Sequence, residues 1–491
     1  MKKIIFALLC ATSFSSCDLE FKVYDTLSSD SFPITETDAE YLVNASYSYL
    51  KSGVGCEGFY SFNAVSFPTY SEMTTDIMTC NWGDGGKWDA VSQLRYLPSE
   101  GMSNDVFNIN INRIGILSKN IDRIEHTQIN DDKKKRFIAE IKTLRSWIAY
   151  LFYINFGPIV LPSIEDLNNP NQDKVLPRAT EEEMDIFIEQ GILESISYLP
   201  LASDLSGHLE GRLTQGAARA ILMKFYMFKK RWKDAEQQGR EIQKLGYDLE
   251  EDYASIFLKF NTANKESIFT IPSNSNNPNY MYSWSAPLNY PHNNKNIQSW
   301  GGYKVWWDFY DTFEANDKRK NLLISEYTGI DGVFYDRNTG KEMSNLGKGV
   351  IIMKYGEDPD QVGGFNSHPI IAFRYADILL MLAEAVNMQN ETPTEEAIGW
   401  VNEVRHRAGL DDLSIEKSSS KEKFNDAILE ERGHELYCEG FRREDLIRHG
   451  KFIEYAKKRS NTLTSEHLVL LPIPNSFIVA NKGIVLQNPG Y

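Results

Sequence analysis

The chain is predicted to be mainly α-helical, a helical-repeat scaffold that carries a loop-rich mixed lobe. Three observations predict this class. Apolar residues recur at spacings of three and four over several segments. Small residues sit on the faces where consecutive helices would meet. Two long stretches, about 52–103 and 246–370, break that period and collect Asn, Gly, Pro, Tyr and Trp.

The elements follow in order. Lys2 and Lys3 form a basic start, Ile4 to Leu9 a short apolar run, and Ala11 to Ser16 a small-residue run interrupted only by Phe14. This is the layout of a secretory signal, too short to span a bilayer. Cys10 follows two leucines, whereas Cys17 follows Ser15 and Ser16, which suits a peptidase that wants small residues before its cut. The pattern resembles a bacterial lipoprotein signal over residues 1–16, with Cys17 as the acylated first residue. Each buried acyl methylene contributes about 0.8 kcal/mol, so several chains anchor permanently.

After the signal, helical scaffold is expected over about 28–51, 104–245 and 371–458, with a C-terminal docking segment at 459–491. In "RFIAEIKTLRSWIAYLFYINFG", Phe137, Ile141, Leu144, Ile148 and Leu151 form one stripe, stopped by Gly157-Pro158. Two further helices meet at a turn near Lys230. The first carries Leu213, Ala217, Ile221, Phe225 and Phe228, the second Trp232, Ala235, Gly239 and Ile242. Gly216, Ala217, Ala220 and Ala235 let the axes approach closely. An aromatic late in one helix and an alanine early in the next resembles a tetratricopeptide repeat. More helices are expected at about 374–389, 395–408 and 421–438, so the repeat units are scattered and not tandem. The lobe is expected over about 52–103 and 246–370. Loops this long in a compact protein are functional when ordered.

Composition narrows the function. Cleavage before Cys17 leaves 475 residues (491 less 16), and loss of Lys2 and Lys3 takes the formal charge from −16 to −18. So acidic a chain lacks an electrostatic footprint for nucleic acid or an anionic membrane surface. No later apolar run reaches the roughly 18 residues of a membrane span. Cys56 and Cys80 are able to pair in an oxidising compartment, while Cys438 falls in a helical stretch and reads as a buried thiol.

The last 120 residues carry specific text. "FRYADILLMLAEAVN" leads into "AIGWVNEVRHRAGL", then "AILEERGHELYCEGFRREDLIRHGKF", and the chain closes with "LLPIPNSFIVANKGIVLQNPGY". In that order, together with Cys17 and the segments at 131–157 and 211–245, it resembles the SusD/RagB family of Bacteroidetes outer-membrane nutrient-uptake lipoproteins. Gly433 departs from the better helix former usual in "EERxxEL", at a cost of about 1 kcal/mol. The resemblance implies a tetratricopeptide-like scaffold and a protein that binds glycans, or in some systems peptides, without catalysing a reaction. It implies a hinged lid on a SusC-type TonB-dependent transporter. Asp18 and Glu20, just after the cysteine, look like such a family's surface-export signal, implying a lipid-anchored protein of the outer membrane facing the cell exterior.

Sugar capture uses aromatic faces for pyranose C–H groups and fixed polar groups for hydroxyls. The ligand-binding candidates are Trp82, Trp88, Asn81 and Asp84 in the first loop region, and Tyr282, Trp284, Trp300 and Tyr303 in the second, with Asn289 and Asn293 behind them. Each ring has the alternative task of pinning a long loop. Trp306 and Trp307 are expected to pack, and Trp147, Trp232 and Trp400 to belong to the scaffold. In "EERGHELYCEGFRRED", Glu431, Arg432, Glu435, Arg442, Arg443 and Asp445 are read as ion pairs locking the last helices together, not as catalysts. Glu403-x-x-His406 and Glu431-x-x-His434 imitate di-iron half-sites. At 100° per residue, however, His406 lies about 200° from the packed Val404, facing away from a core. No metal, cofactor or catalytic residue is expected. "WGDGGKW" lacks the Ser or Thr and the strand-to-helix setting of a phosphate loop.

The expected function is capture of an oligosaccharide at the cell surface and its delivery to a SusC-type transporter. The ligand is expected to be neutral, because Lys87 and Lys295 are the only cations near the proposed arc. Alternatives are a peptide-capturing RagB-like lipoprotein, a secreted glycoside hydrolase, which needs two flanking carboxylates, and an interaction scaffold whose loops bind nothing.

Overall fold

The computed structural model describes residues 32–51, 58–63, 66–169, 174–206, 211–261, 264–339, 346–459 and 465–491. The segment expected to be a signal, the Cys17 expected to be acylated, and Cys56 lie outside them, and so does the pairing read as open to Cys56 and Cys80.

Six scaffold helices begin where a Ser, Thr or Asn side chain accepts from the first free N–H groups. Thr35 caps Glu36–Tyr47, Asn130 caps Asp131–Phe156, Thr180 caps Glu181–Ile196, Thr214 caps Gln215–Phe228, Thr394 caps Glu395–Arg407 and Ser420 caps Lys421–Leu436. Each helix packs on the next in an antiparallel stack: Met102–His126 on Asp131–Phe156, then Glu181–Ile196, Gln215–Phe228 and Trp232–Gln243. The stack continues directly into Tyr375–Gln389, across the whole insert. Gly239 makes that step possible, since a Cβ there would lie 2.6 Å from the Leu382 side chain. The stripe of Phe137, Ile141, Leu144, Ile148 and Leu151 is buried, as are Gly216, Ala217, Ala220 and Ala235. The fold is therefore the helical-repeat scaffold expected. Two boundaries differ. Leu213 precedes its helix, because Thr214 is the cap, and Cys438 lies beyond the last turn with φ 60°, buried.

Among the described residues, eight short strands are β1 (Met78–Cys80), β2 (Ser267–Ile271), β3 (Tyr303–Trp306), β4 (Leu323–Ile324), β5 (Tyr327–Thr328), β6 (Phe334–Tyr335), β7 (Gly349–Ile352) and β8 (Ile370–Arg374). An antiparallel sheet of order β1-β3-β7-β4 joins the two loop regions, with Cys80 opposite Tyr303 and Val305 opposite Val350. Strand β2 pairs with β8 and clasps the two ends of the insert. That clasp returns the chain to the scaffold at Tyr375. The lobe is thus built on strands and is less loop-like than its composition suggests. The helices Phe67–Met73 and Lys87–Ser92 also interrupt its first half.

A buried ionic network fixes lobe to scaffold. Arg374 bonds Glu266 at 2.9 Å and Glu439 at 2.7 Å and also contacts Glu435, while Arg319 joins Asp317, Glu431 and Glu435 at 2.6–3.0 Å. Arg432 pairs with Asp377 and Asp445. Burial pushes the Glu435 carboxyl up, but Arg407, Arg374 and Arg319 outweigh it and hold it well below the usual range. Asp445 ends at about 2 by the same balance, with Arg432 and Arg448 against burial. The charged motif is therefore structural, with two corrections. Its partners lie in the last helices, at Asp377, Arg405, Arg407 and Arg448, but reach beyond them to Arg319 of the insert and Asp76 of the first loop region. Among the described residues Arg443 makes no ion pair but donates to Asn155 Oδ1 and the Val469 carbonyl, because it faces the end of a helix.

The C-terminal segment packs on that helix end. The last carbonyls of Asp131–Phe156 lack intrahelical donors. Asn488 and Arg178 supply donors to the Phe156 carbonyl at 2.9 and 2.8 Å, which gives "QNPGY" a local task. His406 points outward to Asp412, and His434 bonds Thr312 Oγ1 at 2.8 Å.

Candidate functional site

An open cavity of about 610 Å³ lies where the two loop regions meet, lined by Trp82, Asp84, Tyr280, Trp284, Gln298, Trp300, Gly363, Gly364 and Phe365. Its residues come from four places in the chain, and backbone pairing assembles them. Asn81 N donates to the Gly302 carbonyl at 2.8 Å, which extends the β1–β3 ladder and delivers Trp82 beside the insert. Gln298 N donates to the Gly363 carbonyl at 2.9 Å and Trp300 N to that of Ser283 at 2.8 Å, bringing three loops into register.

Trp82, Trp284 and Trp300 are half-buried, each with part of its ring at the surface. The Trp82 indole lies on the bare backbone of Gly302, where a Cβ would come within 2.2 Å of the ring, and its Nε1 donates to the Trp300 carbonyl at 3.0 Å. The tip of Trp300 rests in the same way on Gly364, with a Cβ there only 2.3 Å from the ring. Trp284 meets Trp82 edge-on at 5.4 Å and stacks on Tyr280 at 4.9 Å and 21°. Phe365 is 37 % exposed at the rim.

Four of the expected ligand residues therefore line one cavity: Trp82, Asp84, Trp284 and Trp300. Four do not. Trp88 and Tyr303 are buried behind the front rank, 5.7 and 5.6 Å from the Trp82 ring, and act as its backing. Tyr303 is turned inward by the strand alternation of β3. Asn81 is buried at the β1 edge, its backbone spent on Gly302. Tyr282 is fully buried in a separate apolar cluster, with Oη 2.8 Å from His292 Nδ1, and burial pushes its hydroxyl pKa up. Asn289 is engaged with Tyr327 Oη and Asp331, while Trp306 and Trp307 pack outside the cavity. Sequence reasoning missed Tyr280, Gln298, Phe365 and the two glycines.

Asp84 is exposed at the mouth with φ 35°, followed by Gly85 at 66° and Gly86 at 87°, a left-handed turn that aims its carboxylate inward. Its Oδ2 accepts the Trp88 Nε1–H at 2.7 Å. Behind the sheet, burial pushes the Cys80 thiol up to about 12 and the Lys304 ammonium down to about 7. Lys304 donates to the Ser285 carbonyl, away from the cavity. Among the described residues, no group of three or more His, Cys, Asp or Glu side chains could hold a metal. What the cavity offers is aromatic surface, one amide and one carboxylate. That is equipment for binding a flat, hydroxylated molecule.

Comparison with known proteins agrees with this architecture. Residues 335–491 match the model of the SusD family. The chain is 24 % identical over 520 residues to SusD-like protein P2 of Formosa agariphila, covering 100 % of this chain and 99 % of that one. Among solved structures, a SusD-like protein from Bacteroides fragilis superposes with a TM-score of 0.77 at 24 % identity, over 94 % of this chain and 98 % of that one. Surface glycan-binding protein A from Bacteroides thetaiotaomicron, solved in complex with laminarihexaose, does so at 0.75 and 20 % identity, over 92 % and 98 %. The resemblance read in the C-terminal motifs is thereby shown, and the fold is the SusD-like one.

Proposed function

We propose that this SusD-like protein captures an oligosaccharide in the aromatic cavity and passes it to a SusC-type TonB-dependent transporter, breaking no bond. It is held on the outer face of the outer membrane by acylation at Cys17. The observation that carries the reading is the convergence of three half-buried indoles on one open cavity, each ring fixed from behind. Pyranose faces pack on such rings, and each stack contributes about 0.5–1.5 kcal/mol beyond area burial. Three rings and a few hydroxyl contacts give micromolar to millimolar dissociation constants, weak enough for hand-over. The volume falls within the range of about 300–1,000 Å³ usual for small-ligand sites.

A glycoside hydrolase would need two carboxylates flanking the bond. One carboxylate, that of Asp84, lines this cavity, and nearby Asp89 is paired with Arg95. The laminarihexaose complex of a protein with this fold supports a glycan over a peptide as cargo. The anchor and the transporter rest on the signal pattern and on the family resemblance.

Tryptophan fluorescence of the mature chain, titrated with neutral, acidic and host-type oligosaccharides, tests the binding. Saturable quenching that is lost in Trp300→Ala is expected, with labelled oligosaccharide recovered at full length. Silence towards every glycan from folded protein would move the account to peptide cargo. Loss of membrane association in Cys17→Ala tests the anchor.

A further inference from the structure

We infer that the cavity selects uncharged glycans and that Asp84 is the residue that does so, its carboxylate fixed by the Trp88 indole to accept a pair of sugar hydroxyls. This rests on the glycan-binding reading above. Asp84 is the one carboxylate among the described residues lining the cavity, and no Lys, Arg or His joins it there. A carboxylate only accepts hydrogen bonds and has about four lone-pair sites. Trp88 Nε1–H takes one of them at 2.7 Å, and because Trp88 is 4 % exposed and wedged between Trp82 and Tyr303, the carboxylate is held at a set angle. Asp84 is exposed where it lines the cavity, so the remaining sites are open to two neighbouring hydroxyls of one pyranose. Such charge-assisted bonds are roughly twice as strong as neutral ones.

The same carboxylate repels a uronate or sulfate brought to that position, and no cationic side chain among the described residues lines the cavity to offset it. Lys304, Lys348 and Lys295 lie outside that lining and donate to the carbonyls of Ser285, Cys80 and His292. Lys87 stands on the outer surface and contributes nothing to the lining.

The test is calorimetric titration of the mature chain with laminarihexaose and with the same hexamer oxidised at its primary alcohols to uronates. Wild type is expected to bind the neutral hexamer at least about tenfold tighter. Asp84→Asn keeps shape and tolerates the left-handed backbone equally well. It is expected to weaken the neutral hexamer about five- to tenfold and to bring the two affinities together. Trp88→Phe, which frees the carboxylate, narrows the ratio while leaving the fold intact by circular dichroism. Equal binding of both hexamers by wild type, or an unchanged ratio in Asp84→Asn, overturns the inference while sparing glycan binding. No response to any neutral or acidic oligosaccharide overturns both.

Discussion

Gly364→Ala tests the site through a single added methyl group. The tip of the Trp300 ring lies on Gly364, and an ideal Cβ there would sit 2.3 and 2.4 Å from two ring carbons. Ordinary contact begins near 3.4 Å, so the ring has to retreat by about 1 Å or rotate out of the cavity. The backbone is not strained by the change, since Gly364 lies outside the left-handed region, and its carbonyl keeps its bond from Ser283 Oγ at 3.0 Å. Misplacing one stacking ring costs about 0.5–1.5 kcal/mol, or roughly two- to thirteen-fold in dissociation constant. Calorimetry with the best-responding oligosaccharide measures that loss, and tryptophan emission reports the ring. A changed emission with unchanged affinity would refute the contact assigned to Trp300. If neither moved, the packing described here would be wrong.

Three further outcomes follow from the interior. Lys304 is buried with no carboxylate partner among the described residues, and its pKa falls from 10.5 to about 7. Between those values the unfolded chain binds the proton and the folded one does not. The penalty on the fold therefore grows as pH falls from about 10 to 7, towards the order of 4 kcal/mol. Lys304→Met is expected to stabilise more at pH 6.5 than at pH 9.5 in urea unfolding, and a gain independent of pH would contradict this. Glu435→Gln takes one carboxylate from Arg374, Arg407 and Arg319, each of which keeps another, and is expected to cost about 1–3 kcal/mol at pH 7. Because Glu435 and Asp445 are depressed in the folded chain, their contribution is present above about pH 4.5 and is lost as pH falls towards 2. Thermal melts between those limits should show the variant's flatter acid response. Asn488→Ala removes the donor to the Leu471 carbonyl and one of the two donors to that of Phe156, and should lower stability by about 1–3 kcal/mol in denaturant titration, with glycan affinity unchanged.

The scaffold was legible because its signals are local. Period, cap and small-residue stripe all lie within twenty residues of one another, and only boundaries such as that at Leu213 moved. The site was half legible. Trp82, Trp284, Trp300 and Asp84 stood out as rings and a carboxylate in Gly-rich loops. Tyr282 and Trp284, two residues apart on one helical turn, could not both face the cavity. The pair four apart, Tyr280 and Trp284, could, and that spacing was a usable signal. Strand alternation similarly hides Tyr303 once β3 is known. Gln298, Gly363 and Gly364 left no local trace, because the pairing of residues 297–298 with 363 joins loops some sixty-five residues apart.

The central claim, that sugar is held in this cavity, is tested most directly by a crystal structure of the mature protein with the oligosaccharide that quenches its tryptophans most. The account predicts a pyranose ring lying on Trp300 or Trp284, with hydroxyls on Asp84 and Gln298. Sugar seated elsewhere, for example in the cleft beside Arg212 and Phe269, with the aromatic cavity unfilled, would contradict it.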